Sequence, residues 1–247
     1  MNRNRTKAFV TVILLALLMV LSSCQVTQNV NCTNSSDPLM GGSSTTIKTD
    51  SFFEGVLEDL SSWKSTGSND PVVDVAISSF AQNLSNSKYS DSVRFIKTDE
   101  HSYSGTFVFT DFKKLIQDLC GEYKDQNLLT LTTTKDGKTR LELNISLENY
   151  DVLASIVPFL SDPNFEVWGP KYNDYLSEEE YKELVSFVLG EEGPASIDSS
   201  IITITLKAPG KITSTNGTIK QNNTVEFSFP LIKFLLLHEP LYFYCEI

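Results

Sequence analysis

The chain has 247 residues, 40% of them apolar, and its 20 Lys and Arg against 31 Asp and Glu give a net charge of −11. This composition excludes a disordered tail and a collagen-like rod. The acidic balance argues against a nucleic-acid partner, because phosphate backbones recruit Lys and Arg. With only two histidines and four cysteines, we expect neither a metal site nor another cofactor.

Residues 1–23 have the features of an export signal. They open with a positive segment that contains no acid and holds Arg3, Arg5 and Lys7. An apolar run of 14 residues, AFVTVILLALLMVL, follows at positions 8–21. A permanent membrane helix needs roughly 20 such residues, so this run is short for one.

The run ends in Leu21-Ser22-Ser23-Cys24, which resembles the lipobox of bacterial lipoproteins. The resemblance implies that the thiol of Cys24 carries a group with two acyl chains, for example palmitate. It also implies that the chain is cut before Cys24 and that the new amine is acylated. Two or more acyl chains anchor a protein stably to a membrane. The alternative is an ordinary signal peptide, or an anchor, with a chance cysteine.

Residues 24–50 are rich in Ser, Thr, Asn and Gly and show no hydrophobic period, which predicts a flexible tether. Its root-mean-square reach would be roughly 25–30 Å. Loss of residues 1–23 removes three positive charges and leaves −14, so we expect the body to stand off anionic headgroups unless an apolar surface docks it. Gln25, rather than an Asp, follows the cysteine, which favours the outer membrane over the inner one.

The pattern of residues 51–247 predicts a single domain with several capped amphipathic helices. We expect helix starts at a Ser51/Glu54 capping box, at Asp70-Pro71, at Thr110 or Asp111, and at a Ser177/Glu180 capping box. In the last of these helices the predicted buried stripe consists of Tyr181, Leu184, Val185 and Val188.

Alternating segments between the helices predict strands. They lie at 93–97, 103–109, 128–147, 202–206, 225–229 and 241–247. In 128–147 a two-residue loop would place the leucines on opposite faces, whereas a three-residue loop with a left-handed Gly137 would pair Leu131 with Leu141 and Leu129 with Leu143; register favours the second. The fold class is therefore α+β, an antiparallel sheet with amphipathic helices mostly on one face.

The segment from Ala208-Pro209-Gly210 through Asn216-Gly217 to Phe229-Pro230-Leu231 resembles LppM-like domains of exported bacterial lipoproteins. That family often has Trp where Phe227 or Phe229 stands here. The resemblance implies an antiparallel sheet with helices and a role in handling envelope lipids, and it supplies no catalytic residue.

Candidate chemical groups have ordinary structural explanations. His101 and His238 have no Cys or His at ligand spacing, and the acids at 178–180 suit the positive end of a helix dipole. The apolar segment 229–244 fits a short core helix better than a lipid-contacting patch. We expect a non-enzymatic, lipid-anchored envelope protein that binds a lipid or another hydrophobic ligand. The alternative is a surface adhesin or an envelope assembly partner.

Three cysteines remain beside Cys24. Cys32 falls in the predicted tether, while Cys120 and Cys245 both lie on inward faces, one of a helix and one of the last strand. A helix packed on a sheet could bring them within the Cα separation of roughly 4.4–6.8 Å that a disulfide needs. The sequence thus permits a Cys120–Cys245 bridge, the alternative being two unpaired buried thiols.

Overall fold

The structure, a computed structural model, describes residues 24–35, 38–60, 70–121 and 127–247. The predicted signal segment 1–23 lies outside the described residues. The strands are β1 (Gln25–Cys32), β2 (Gly41–Lys48), β3 (Ser90–Asp99), β4 (Ser102–Phe109), β5 (Leu129–Thr133), β6 (Thr139–Ile145), β7 (Ile201–Lys207), β8 (Ser214–Thr215), β9 (Thr218–Gln221), β10 (Thr224–Pro230) and β11 (Leu241–Glu246). The helices are α1 (Ser51–Leu60), α2 (Val72–Asn86), α3 (Phe112–Leu119), α4 (Tyr150–Ile156), α5 (Pro163–Glu166), α6 (Pro170–Asn173), α7 (Glu178–Leu189), α8 (Glu192–Ser199) and α9 (Leu231–Leu236).

The strands form two sheets. Seven strands lie in the order β3-β4-β2-β1-β7-β10-β9, and four lie in the order β5-β6-β11-β8. Neighbouring strands are antiparallel except β1 and β7, which run parallel. The predicted α+β class with a largely antiparallel sheet is confirmed. The second sheet and the parallel pair are additions that the sequence pattern did not predict.

The predicted flexible tether at 24–50 is wrong. Residues 25–32 form β1 and residues 41–48 form β2, and β1 lies between β2 and β7 in the middle of the large sheet. Thr and Ser suit a pleated surface as well as a linker, and pairing on both edges of β1 supplies the backbone hydrogen bonds that hold it. Residues 25–32 and 41–48 are therefore part of the folded domain, which was predicted to begin at residue 51.

One face of the large sheet, called here the inner face, carries the core. Its side chains from β1, β4, β7 and β10 pack against the small sheet and against α2 and α3. The residues of this cluster include Val30, Phe107, Phe109, Leu206, Val225 and Phe227 from the large sheet, Leu141 and Cys245 from the small sheet, and Leu84 and Leu115 from the helices. Helices α1, α4 and α9 contribute to two further clusters that contain inner-face Tyr103 and Phe229. The helices that contribute to these three clusters thus cover the same face of the large sheet, the inner one.

The predicted hairpin register is confirmed. Leu131 pairs with Leu141, and Leu129 pairs with Leu143. The Thr134 amide donates to the Lys138 carbonyl at 2.8 Å, which leaves a three-residue loop. Its Gly137 has φ of +81°, the left-handed conformation that glycine adopts at little cost.

Two of the predicted helix caps are confirmed. The Lys114 amide donates to Asp111 Oδ1 at 3.0 Å at the start of α3. At the start of α7 the Glu180 amide donates to Ser177 Oγ at 3.2 Å, and the Ser177 amide donates to Glu180 Oε2 at 2.8 Å. The bond at Asp111 is a direct N-cap bond, and the pair at Ser177 and Glu180 is a reciprocal capping box. Both are of the kind that the sequence pattern predicts.

The caps of the first two helices differ from the prediction. Helix α1 is capped one residue earlier, by Asp50, whose Oδ1 accepts from the Phe53 amide at 2.6 Å. Helix α2 begins at Val72, after Pro71, and the Val72 amide donates to Glu58 Oε1 of α1 at 2.6 Å. A side chain of the neighbouring helix α1 therefore satisfies the amide of the first residue of α2.

The apolar segment 229–244 supplies core structure. Helix α9 lies between β10 and β11, and its Ile232, Phe234 and Leu236 are buried. Leu237, which ends the helix with φ of +44°, is buried as well. The core-helix alternative is the one observed.

Candidate functional site

Cys24 lies at one end of the large sheet, directly before β1. Its carbonyl accepts a hydrogen bond from the Ile201 amide at 3.2 Å, so it is tied to the start of β7. The side chain is half-buried, and desolvation, with a smaller contribution from the charge of Asp50, raises the pKa of its thiol to about 12. The rest of the lipobox-like motif, residues 21–23, falls outside the described residues.

The strand ends around Cys24 form a row that is exposed to solvent. Gln25 is paired with Lys48 on one side and with Ile201 on the other, and Ile201 is paired with Pro230. All four are exposed, Ile201 at 42%. This end of the sheet thus combines a lysine with two apolar residues beside the candidate attachment point.

An apolar cavity of about 80 Å³ lies between the two sheets. The large sheet contributes residues from β1, β7 and β10, and the small sheet contributes residues from β5, β6 and β11. The lining residues are Val30, Phe112, Leu129, Leu141, Leu143, Ile204, Leu206, Phe227, Phe243, Tyr244 and Cys245. Because these side chains are almost entirely apolar, the cavity can take only an apolar group.

The Cys120–Cys245 bridge that the sequence permits is not formed in the structure, where both residues are free thiols. They belong to different buried clusters, Cys245 beside Cys32 in the cluster between the sheets and Cys120 in the cluster around α4 and α9. Desolvation raises the thiol pKa of Cys120 and of Cys245 to about 11. These cysteines behave as small buried apolar side chains, the alternative that the sequence left open.

A charged cluster on the small sheet is fully partnered. Arg140 donates from Nε to Glu142 Oε1 at 2.8 Å, from Nη1 to Glu246 Oε1 at 2.7 Å, and from Nη2 to the Tyr242 hydroxyl at 2.9 Å. Its guanidinium lies 3.9 Å from the centre of the Tyr244 ring. The Tyr242 hydroxyl also donates to Glu142, and these bonds lower the pKa of the Glu142 carboxyl. The cluster ties β6 to β11.

The histidines and the acids of α7 take structural positions. His101 Nδ1 lies 2.9 Å from Glu54 Oε2, and His238 Nε2 lies 2.7 Å from the Leu176 carbonyl. Glu178 forms an ion pair with Lys233 at 2.7 Å. Across the described ranges, His, Cys, Asp and Glu form no group of three or more that could hold a metal ion. No helix in the described part of the chain is long and apolar enough to span a membrane.

Most of the cavity was not predicted from the sequence. Leu129, Leu141 and Leu143 were expected on one face of the hairpin, but Val30 fell in the predicted tether. The inward positions of β1 are Val26, Gln28, Val30 and Cys32. The alternation of these inward residues with outward ones is the sequence pattern that could have predicted β1. The polar Gln28 interrupts the apolar period and conceals it.

Comparison with known proteins adds little to this picture. No protein-family model matches the chain, and no curated protein sequence matches it significantly. Among solved structures, the folded domain of the LppM protein of Mycobacterium tuberculosis, solved by NMR, is similar with a TM-score of 0.37 and 12% identity, over 90% of this chain and 88% of that one. Yeast LTA4 hydrolase in complex with bestatin is similar with a TM-score of 0.34 and 11% identity, over 92% of this chain and 28% of that one. Similarities at this level define neither a shared fold nor a function.

Proposed function

We propose that the chain is a lipid-anchored, non-enzymatic protein of the bacterial cell envelope, attached through Cys24. The observation that carries this proposal is the position of Cys24. It follows a positive segment, an apolar run and two small residues in the sequence, and it lies directly before β1, at an exposed end of the large sheet.

The absence of a tether changes how such an anchor would act. With the acyl chains on Cys24, the row Lys48, Gln25, Ile201 and Pro230 would face the bilayer. A lysine can approach phosphate headgroups and the two apolar side chains can enter the interface. The domain would therefore lie against the membrane, whichever membrane of the envelope holds it; Gln25 after the cysteine favours the outer one.

Substitution of Cys24 tests the anchor. In bacteria grown with labelled palmitate, we expect the wild-type protein to be labelled and to remain with the membrane fraction. Cys24→Ser should abolish the label, because serine cannot form the thioether. Cys32→Ser is the matched control, since Cys32 is a buried thiol eight residues further on, at the end of β1, and should remain labelled. Label in Cys24→Ser would contradict the proposal.

We further propose that the cavity between the sheets is where a hydrophobic ligand binds. The support is its position and apolar lining. Its size limits the ligand: an engineered cavity that binds benzene measures about 150 Å³, whereas this one measures about 80 Å³. A cavity of this volume has room only for a small apolar group and not for a whole acyl chain.

Co-purification tests the ligand proposal. The protein from residue 24 onward, purified without detergent, should yield a stoichiometric apolar compound in organic extracts analysed by mass spectrometry. Leu143→Phe enlarges a half-buried side chain of the lining and should reduce the yield at least about threefold. The control is Leu147→Phe, which changes an exposed leucine after β6. Equal yields from the two variants would remove the cavity as the binding site.

The second candidate function is that of an assembly partner or adhesin acting through the outer surface. It is favoured by a patch of exposed apolar residues on α7, described below.

A further inference from the structure

Helix α7 has one broad apolar face, and only part of that face is packed. Tyr181 and Val185 are 1% and 0% exposed and lie in a cluster with Ile232 and Leu236 of α9. The sequence predicted that Leu184 and Val188 share this buried stripe, and that prediction is wrong. They are 38% and 48% exposed. The packed line is narrower than the apolar face, because contact with α9 centres on Tyr181 and Val185.

Leu184 and Val188 share their side of the helix with Phe187, which is 90% exposed. The three residues, called here the Phe187 patch, occupy positions i, i+3 and i+4 and are therefore neighbours on the helix surface. A phenylalanine left almost wholly in water loses the stabilisation that its burial would supply. Apolar surface of this kind, rimmed by polar residues, is typical of interaction sites.

The rim of the Phe187 patch is acidic. Glu179 and Glu183 lie on the exposed side of α7, and Glu191 and Glu192 follow its C-terminal end. None of these four carboxylates forms an ion pair within the described residues.

The nearby basic groups already have partners. Lys182 forms an ion pair with Asp198 at 2.6 Å, and Lys233 forms one with Glu178 at 2.7 Å. The field around the Phe187 patch is therefore negative.

These charges decide between the occupants of the patch. A second copy of the chain would bring its own Glu179 and Glu183 against the same residues, and an anionic bilayer would present like charge as well. A polypeptide with apolar side chains on one face and Lys or Arg along its edges satisfies both the apolar surface and the acidic rim.

We propose that the Phe187 patch is a docking site for a basic amphipathic helical segment of another protein. Apolar side chains of the partner cover Phe187, Leu184 and Val188, and its basic side chains meet Glu179 and Glu183. This inference deepens the second candidate function and does not depend on acylation of Cys24.

The probe is a fluorescently labelled 15-residue peptide of Leu and Lys, with its leucines at i, i+3, i+4 and i+7. Its binding to the protein from residue 24 onward is followed by anisotropy, and circular dichroism confirms that each variant is folded. We expect Phe187→Ser to weaken binding at least about tenfold, as loss of a central aromatic anchor does. The double variant Glu179→Gln and Glu183→Gln should weaken binding and flatten its dependence on salt.

Ile219→Ser is the matched control, because Ile219 is a 54% exposed apolar residue on β9; it should bind as the wild type does. No binding by the wild type, or equal binding by Phe187→Ser, would overturn the proposal. So would a dimer in sedimentation velocity that Phe187→Ser abolishes, which identifies a second copy as the occupant. Binding to phosphatidylglycerol and phosphatidylethanolamine vesicles that is lost in Phe187→Ser would identify the bilayer instead.

Discussion

Gly41→Ala is expected to destabilise the protein by about 3 kcal/mol or more, at the upper end of the range for forced overpacking. Gly41 opens β2 opposite Cys32 of β1. A Cβ placed there would lie 2.1 Å from the Asn31 carbonyl oxygen and 2.8 Å from Phe109 Cζ. The nearer atom belongs to the backbone of a central strand, so it cannot turn away as a side chain could. β1 and β2 would have to separate.

Gly42→Ala is the matched control for this prediction. A Cβ at Gly42 would have only the Phe107 carbonyl oxygen nearby, at 3.6 Å, which is ordinary van der Waals contact. Denaturant unfolding followed by circular dichroism should therefore place Gly42→Ala within about 0.5 kcal/mol of the wild type, the usual range for a substitution that disturbs no close contact. If both variants had wild-type stability, residues 41–48 would be a tether and not part of the sheet.

Phe109→Ala is expected to lower the free energy of unfolding by about 3–5 kcal/mol, the usual cost of removing a buried phenylalanine ring. Phe109 is 1% exposed at the end of β4. Its ring centre lies 4.8 Å from that of Phe112 and 6.5 Å from that of Phe107. The truncation would leave a void between the inner face and α3.

The adjacent Val108 provides the comparison for Phe109. It points to the opposite face of the sheet and is 46% exposed, so Val108→Ala should change the stability by no more than about 0.5 kcal/mol. The same chemical-denaturation series measures both variants. Equal losses would mean that the faces of β4 are assigned the wrong way round.

Local sequence patterns predicted those parts of the fold that depend on contacts between residues close in the sequence. The hairpin register followed from the requirement that Leu129, Leu131, Leu141 and Leu143 share a face. The caps at Asp111 and Ser177 followed from hydrogen bonds between residues three apart. Such contacts are close in the sequence, so no knowledge of the tertiary arrangement is needed to predict them.

The tether prediction failed because the inner face of β1 and β2 is partly polar. Thr45 Oγ1 donates to Gln28 Oε1 at 2.6 Å, and Ser43 Oγ donates to the Asn29 carbonyl at 3.1 Å. Ser43 and Thr45 are buried because these bonds satisfy them. Composition alone cannot separate such a strand from a linker, since the hydrogen bonds arise only when two strands meet in register.

The candidate site required long-range information as well. Its cavity combines Val30 of β1 with Phe227 of β10 and Phe243 of β11, three strands from different parts of the chain. Whether Cys120 and Cys245 could form a bridge depended on long-range information in the same way. Inward-facing positions were assigned correctly for Cys120 and Cys245, but which core each would enter depends on how the two sheets and the helices are arranged.

The parallel pairing of β1 with β7 has a consequence for the order of folding. β1 can form its contacts with β2 early, because only eight residues separate the two strands in the sequence, whereas residues 201–207 lie far along the chain. Contacts of such large sequence separation form slowly, since the loop entropy is lost before they can contribute. Until β7 arrives, the other edge of β1 stays open to pairing with a foreign strand. A newly made chain is therefore most vulnerable to misassembly at its first strand, and a holding chaperone would protect it best by covering that edge.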